Sequence, residues 1–154
     1  MRLAYEYLGP LLKSNSSTAS EIEMMSSKIP AVDRSSIYGP WTLVEFANFS
    51  STGSKVVWTG TQSGRLIYVE PDIVSVAINR FGQNPGGSTI ELNSFYSGRF
   101  EWRDQTTIVH IVQQSSDTSR IGQRQVRTIK INGDILELSG KGLTGDVLLT
   151  WKRG

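Results

Sequence analysis

From Trp41 to Arg153 the chain is an almost unbroken series of strand-like segments and turns, without a long helical pattern. Short connections between successive strands favour an antiparallel meander. A sheet of this size must protect its two edges from pairing with other chains, and closing it into a barrel removes both edges. The pattern therefore predicts an all-β fold, an antiparallel barrel of about eight to ten strands.

Period-two alternation, bounded by turn signals such as Asn132-Gly133-Asp134, marks the expected strands. They lie near residues 41–49, 55–59, 65–70, 73–80, 95–102, 106–114, 123–131, 134–139 and 146–152. The one long break, Phe81 to Ser94, contains a run of turn residues around Pro85. We expect a flexible loop there on one rim, with at most a helical turn.

The alternation also predicts which side chains face the barrel interior. The inward sets are Tyr96, Gly98, Phe100 and Trp102 on one strand and Val74, Val76 and Ile78 on another. Arg99 and Glu101 fall on the opposite face and are expected in solvent. Gly98 leaves room beside its aromatic neighbours, either for a tight bend or for a ligand.

Residues 1–38 differ from the barrel domain predicted at residues 39–154. Ser20 and Glu23 form a capping-box pattern, and the apolar stripe that follows ends at Pro30, which predicts a short helix. This N-terminal extension could pack on the outside of the domain, form a lid over the barrel mouth, or be disordered.

Composition narrows the class of protein. The net charge is only +2, too small a bias to indicate nucleic acid. There is no cysteine, hence no disulfide framework. The N-terminal sequence does not read as a signal peptide, and no apolar run approaches the ~20 residues of a transmembrane helix. A cytoplasmic protein without membrane or nucleic-acid partners is expected, and a homodimer stays open.

A set of motifs, in order, resembles the small bacterial and fungal lipocalin-like domain family, a calycin-type barrel. The motifs are Gly39-Pro40-Trp41-Thr42-Leu43-Val44, Gly64-Arg65-Leu66-Ile67-Tyr68, Val74-Ser75-Val76, Tyr96-Ser97-Gly98-Arg99-Phe100-Glu101, Gln125-Val126-Arg127, Asn132-Gly133-Asp134-Ile135-Leu136-Glu137-Leu138 and Leu149-Thr150-Trp151-Lys152-Arg153.

The resemblance covers roughly residues 38–153 and implies a barrel with an internal cavity. It also implies that Lys152 or Arg153 packs over Trp41 as a cation–π contact. Two features depart from the family pattern: the N-terminal extension, and a shortened segment at residues 88–94. Both lie where a cavity mouth is expected, so the resemblance says little about access to the cavity.

His110, the single histidine, shares an apolar face with Ile108 and Val112. It is either a core residue with satisfied hydrogen bonds or a general acid–base in the cavity, because histidine titrates near neutrality. A metal site is not expected, since one histidine and no cysteine leave only scattered carboxylates.

Gln125 and Arg127 share a face with Ile129 and Ile131. If that face is inward, a guanidinium enters an apolar chamber, which is costly unless it is paired. Its partner would be a buried carboxylate or an oxygen of a ligand. Alternatively, Arg127 lies near the rim and pairs with a neighbouring strand.

The aromatic side chains either stack on a ligand or fill the barrel. The ligand-binding candidates are Gln125, Tyr68, Tyr96, Phe100, Trp102 and Val76, and the catalytic candidates are His110 and Arg127. The glycine-rich segment Gly140 to Gly145 is a turn rather than a nucleotide site, because no helix follows it.

Two functions compete for a barrel that encloses a small hydrophobic molecule. Similar small barrels include cofactor-independent cyclases and isomerases of natural-product pathways, which hold a flexible substrate in one reactive conformation. The alternative is a non-catalytic intracellular binding protein for a hydrophobic ligand. The polar inward positions, the lid and the missing export signal favour the enzyme slightly, and no cofactor is expected.

Overall fold

The computed structural model describes residues 32–83, 87–142 and 145–154, and the barrel belongs to the unit Val32–Gly154. The strands within these ranges are β1 (Gly39–Phe49), β2 (Lys55–Val57), β3 (Thr61–Val69), β4 (Ile73–Gln83), β5 (Thr89–Trp102), β6 (Thr107–Ser115), β7 (Arg124–Asn132), β8 (Ile135–Gly142) and β9 (Gly145–Arg153). Two 3₁₀ turns accompany them, Arg34–Ile37 and Thr118–Arg120.

Eight of these strands close an antiparallel barrel: β1 pairs with β3, successive pairings run to β9, and β9 returns to β1. The short β2 is an additional strand that pairs with the end of β1 at residues 47–49. The all-β barrel predicted from the alternation is therefore confirmed. The predicted capping-box helix and lid fall on residues outside the described ranges. Among the described residues, no helix is long and apolar enough to cross a membrane.

The interior is built from one face of each barrel strand. Tyr96 and Phe100 are buried, Trp102 is half-buried against the core, and Arg99 and Glu101 are exposed, as the alternation predicts. The second inward set is also buried: Val74, Val76 and Ile78. A one-residue slip in register would reverse both faces, so the pattern of apolar side chains fixes the pairing.

Trp41 seals the end of the barrel where β1 begins and β9 ends, called here the closed end. It is 0% exposed, and its Nε1 donates to the Ile37 carbonyl at 2.8 Å. The Arg153 guanidinium lies 4.1 Å from the Trp41 ring centroid and donates to the carbonyls of Ser36 and Tyr38. Of the two basic residues that the resemblance places over Trp41, the structure selects Arg153.

The expected loop from Phe81 to Ser94 is wrong over most of its length. β4 continues to Gln83, β5 begins at Thr89, and these two residues are partners in the ladder. The outer part of this hairpin, residues 79–83 and 89–94, is exposed or half-buried on both faces. Its sequence therefore shows no alternation between apolar and polar residues. Because such alternation is the main sequence signal for a strand, this extension was not visible in the sequence.

Gly98 marks a bend rather than space for a ligand. The register between β5 and β6 shifts between Ser97 and Gly98. A Cβ atom at Gly98 would collide with the carbonyl oxygen of Ile111 on the neighbouring strand. The glycine is therefore needed for close approach of the two backbones at a β-bulge.

Candidate functional site

A histidine between two tyrosines lies at the centre of the barrel. His110, on the inner face of β6, is 0% exposed. Its Nε2 lies 2.8 Å from the Tyr68 hydroxyl, and its Nδ1 lies 2.8 Å from the Tyr96 hydroxyl. The Tyr68 ring in turn packs edge-on against Phe100, with centroids 5.1 Å apart. At this level the aromatic side chains fill the barrel, one of the two arrangements considered from the sequence.

Burial keeps the imidazole of His110 neutral. Removal from water, reinforced by the nearby positive charge of Arg127, lowers its pKa from 6.5 to about 3. Burial also raises the pKa of Tyr96, and that of Tyr68 well above its usual range, although Arg127 opposes both shifts. Near neutral pH all three groups are uncharged hydrogen-bonding partners.

A neutral imidazole has one N–H donor and one acceptor nitrogen. One tyrosine must therefore donate its hydroxyl proton to the ring, while the other accepts the ring N–H. The accepting hydroxyl keeps its own proton for another acceptor. Exchanging the two roles moves one proton from the first phenol to the imidazole and one from the imidazole to the second phenol. The cluster stays uncharged only if the second phenol gives its own proton to an outside acceptor and the first phenol takes a proton from an outside donor.

Gln125 and Arg127 lie on the inner face of β7. In the ladder, Gln125 is the partner of His110 and Arg127 is the partner of Ile108. The Arg127 guanidinium donates to Gln125 Oε1 at 2.8 Å and to the Val126 carbonyl at 2.9 Å. The structure thus brings the three polar candidates together: His110, Gln125 and Arg127.

Arg127 is half-buried beside an opening in the barrel wall. The β7–β8 ladder runs from Asn132 only as far as Thr128, which pairs with Ser139. Among the described residues no ladder pair forms beyond this one, and a hollow of about 560 Å³ lies along this end of the two strands. This β7–β8 cleft is lined by Arg120, Gln123, Arg124, Gln125, Val126, Arg127, Thr128, Ser139, Gly140, Lys141 and Gly142.

Two further arginines belong to this upper end of the barrel, where β7 begins and β8 ends. Arg120 stacks on Tyr96, with the guanidinium carbon 5.0 Å from the ring centroid, and donates to Ser94 Oγ at 3.0 Å. Arg80 lies 3.9 Å from the Phe46 ring centroid. The sequence analysis did not identify either residue. Arg80 could have been found, because it shares the inward face of β4 with Val76 and Ile78. Arg120 could not, because it lies in a turn that has no periodic pattern.

The remaining candidates lie around the cluster or away from it. Val76 is buried and is the ladder partner of Tyr96. Phe100 packs below Tyr68, on the side of the closed end. Trp102 lies at the closed end, with the Arg34 guanidinium 5.1 Å from its ring centroid. Trp102 is therefore not brought into the polar cluster.

Two buried polar atoms have no hydrogen-bond partner within the described part of the chain: Gln62 Oε1 and Trp151 Nε1. Both side chains start from inward positions, because Trp151 pairs with Leu136 and Gln62 shares a face with Leu66. Leaving such a group unpaired costs about 1–3 kcal/mol. The interior thus offers one acceptor and one donor beyond the central cluster.

A larger hollow of about 1010 Å³ lies on the outside of the barrel, across β7 to β9 and the turn after β1. Its charged lining alternates in sign: Lys130, Glu137, Lys141 and Asp146. These residues belong to the outward faces of their strands. Since opposite charges there can neutralise one another, the smaller β7–β8 cleft is the better candidate for a ligand.

Within residues 32–83, 87–142 and 145–154, no three side chains of His, Cys, Asp or Glu come together as metal ligands. Comparison of the chain with known protein families, curated proteins and solved structures gave no significant match. The candidate site therefore stands on its own geometry: a neutral tyrosine–histidine–tyrosine cluster beside a cleft that ends at Arg127.

Proposed function

We propose that this protein is a lipocalin-like barrel that binds a small, largely apolar molecule at its upper end and orients an oxygen of that molecule with Arg127. One observation carries the proposal. A cleft of about 560 Å³ opens between β7 and β8 and is lined by Gln125 and Arg127, the inward-facing polar residues next to His110. Concave sites with a few convergent polar groups are typical of small-molecule binding.

Energetics support a ligand contact for Arg127. A half-buried guanidinium has lost part of its hydration, and a neutral glutamine and a backbone carbonyl return only part of it. A ligand oxygen would supply the missing interaction. The apolar part of the ligand would replace water along the side-chain stems of the cleft.

A second function is favoured by the central cluster. His110 is held neutral between two phenols, and the phenol that accepts the ring N–H keeps its own hydroxyl proton for a ligand. A ligand carbonyl that accepts the free phenolic proton would be polarised without a metal or cofactor. We therefore propose a cofactor-independent cyclase or isomerase as the enzymatic form of this site, with His110 and Arg127 in catalytic roles.

The test compares Arg127→Met with Arg103→Met, a control in the exposed turn between β5 and β6. All three proteins are purified from the same host and examined by native mass spectrometry and thermal unfolding. We expect wild type and the control to retain a small molecule that Arg127→Met loses, while Arg127→Met unfolds at the same temperature or higher. Retention of the molecule by Arg127→Met, or its failure to fold, would contradict the assignment.

A further inference from the structure

We propose that the ligand is an organic anion, a small carboxylate whose charged group lies against Arg127. The inference rests on the proposed function and adds the chemical class of the molecule. The chemical class of the ligand is inferred from the sign of the charges that line the β7–β8 cleft, whereas the proposed function was inferred from the position of the cleft.

The lining of the cleft is cationic and contains no carboxylate. The basic residues are Arg120, Arg124, Arg127 and Lys141, and the other lining residues are uncharged. The outer hollow, by contrast, includes Glu137 and Asp146 beside its lysines. Like charges held around one concave surface create a positive potential that attracts a negative ligand.

Two of the cations already have partners. Arg124 forms an ion pair with Glu101 on the outer face, and Arg120 is held on Tyr96 and Ser94. In the described part of the chain, no carboxylate pairs with Arg127. Lys141 is exposed on β8, with Asp146 as its ladder partner, and also lines the outer hollow. Arg127 is therefore the inward-facing cation of the cleft whose charge is left for a ligand.

The geometry of Arg127 suits a carboxylate. A guanidinium has five N–H donors, and the described contacts use only two of them, one on each terminal nitrogen. Three donors remain for a ligand, and the planar fork of an arginine binds a carboxylate through two parallel hydrogen bonds. One guanidinium free of carboxylate partners matches a single negative charge better than a polyanion.

Gly140 lets the backbone of β8 pass close to Arg127. A Cβ atom there would lie 2.6 Å from the Val126 carbonyl oxygen and 3.0 Å from Arg127 Nη1. Any larger residue must therefore push against the guanidinium or its backbone partner. The position of Arg127 in the cleft therefore depends on the absence of a side chain at residue 140.

The experiment measures binding by isothermal titration calorimetry with two pairs of probes of matched shape. The pairs are 2-naphthoate with 2-naphthamide and dodecanoate with dodecanamide, and inorganic phosphate is a competitor at constant ionic strength. Each acid should bind at least about tenfold more tightly than its amide, the effect of one charge-assisted hydrogen bond. Arg127→Met should remove that preference, whereas Arg103→Met should keep it.

The other outcomes separate the two proposals. Equal binding of an acid and its amide, abolished in Arg127→Met, would overturn the anion and leave the proposed function standing. Binding of neither pair would overturn both. Full displacement of the acids by equimolar phosphate would show an anion site without an organic ligand and would also overturn the inference. Gly140→Ala should weaken binding of the acids more than binding of the amides, whereas Ser75→Ala on β4, away from the cleft, should change neither.

Discussion

The two ends of this barrel use arginine in opposite ways. At the closed end, Arg153 stacks on Trp41 and donates to the carbonyls of Ser36 and Tyr38, contacts that belong to the fold. At the upper end, Arg127 has one glutamine and one carbonyl of its own strand, and it borders an acid-free cleft. The partners of an inward-facing arginine therefore indicate its role. Contacts within the fold indicate a stabilising role, whereas a position beside an acid-free cleft indicates ligand binding.

The consequence is a division of labour along the barrel axis. At the closed end, Trp41 and Arg153 have hydrogen-bond partners in the segment just before β1, which fixes the start and the finish of the barrel. The neutral tyrosine–histidine–tyrosine cluster lies between the two ends, and the upper end contains the β7–β8 cleft with Arg127, a cation without a carboxylate partner in the described part of the chain. Substitutions should therefore lower stability at one end and change ligand binding at the other.

The largest effect is expected at the closed end. Arg153→Met should lower the free energy of unfolding by about 2–4 kcal/mol, because it removes a stacked cation and leaves the half-buried carbonyls of Ser36 and Tyr38 without this donor. Urea denaturation measures the loss, and probe binding at the upper end should not change. Lys152→Met, an exposed neighbour, is the control. If Arg153→Met were as stable as the wild type, Arg153 would not have the stabilising role that distinguishes it from Arg127.

Acid should destabilise the protein through His110. The pKa of this group is about 3 when folded and 6.5 when unfolded, so below pH 6.5 the unfolded chain binds a proton that the folded protein does not. The contribution is complete above the unfolded pKa and is lost as the pH falls. Between about pH 6.5 and about pH 5 we expect a loss of about 2 kcal/mol in denaturation experiments.

His110→Gln is the matched control for this pH dependence. It should show a lower but flatter stability over the same interval, because the sequence contains no other histidine. Equal slopes in the two proteins would mean that His110 is not the responsible group. In that case burial and the charge of Arg127 would not be holding the imidazole neutral in the folded protein.

Tyr96→Phe should lower stability by about 1–2 kcal/mol, since it leaves the Nδ1 atom of buried His110 without a partner. Tyr38→Phe is the control at the closed end: its exposed hydroxyl donates to the Pro71 carbonyl at 3.1 Å. Thermal unfolding of the two variants measures the difference. A larger loss of stability for Tyr38→Phe would mean that the exposed Tyr38–Pro71 hydrogen bond stabilises the fold more than the buried Tyr96–His110 hydrogen bond, which would contradict this account.

The smallest effect is expected for Arg124→Gln. Its ion pair with Glu101 joins two exposed side chains, and such pairs contribute about 0–1 kcal/mol. Stability should fall by no more than this amount, while binding of an acidic probe should weaken modestly and less at high salt. If Arg124→Gln lost as much binding as Arg127→Met, the ligand would contact the exposed Arg124 as strongly as Arg127, which would contradict the assignment of Arg127 as the main contact.

Much of the barrel could be predicted because strands such as β4 and β5 alternate between buried and less buried residues in their core segments. Phe100 and Glu101, as neighbours on one strand, separate into buried and exposed positions as the pattern requires. Arg127 and His110 were recognised for the same reason, since polar residues at inward positions stand out against an apolar face.

Other features depend on contacts between distant segments. The outer part of the β4–β5 hairpin is exposed on both faces, so no alternation marks it. Arg120 reaches Tyr96 from a turn, through a contact that spacing cannot show. The opening between β7 and β8 depends on where pairing stops beyond Thr128, although the alternation on both strands continues.

The most direct test of the central claim is to map where an acidic probe binds. Amide and arginine side-chain NMR signals are followed during titration with 2-naphthoate. The account predicts shifts concentrated on Tyr96, Gln125, Arg127 and Gly140, with none around Trp41. Shifts centred on the outer hollow near Glu137 and Asp146, or spread over both ends of the barrel, would contradict it.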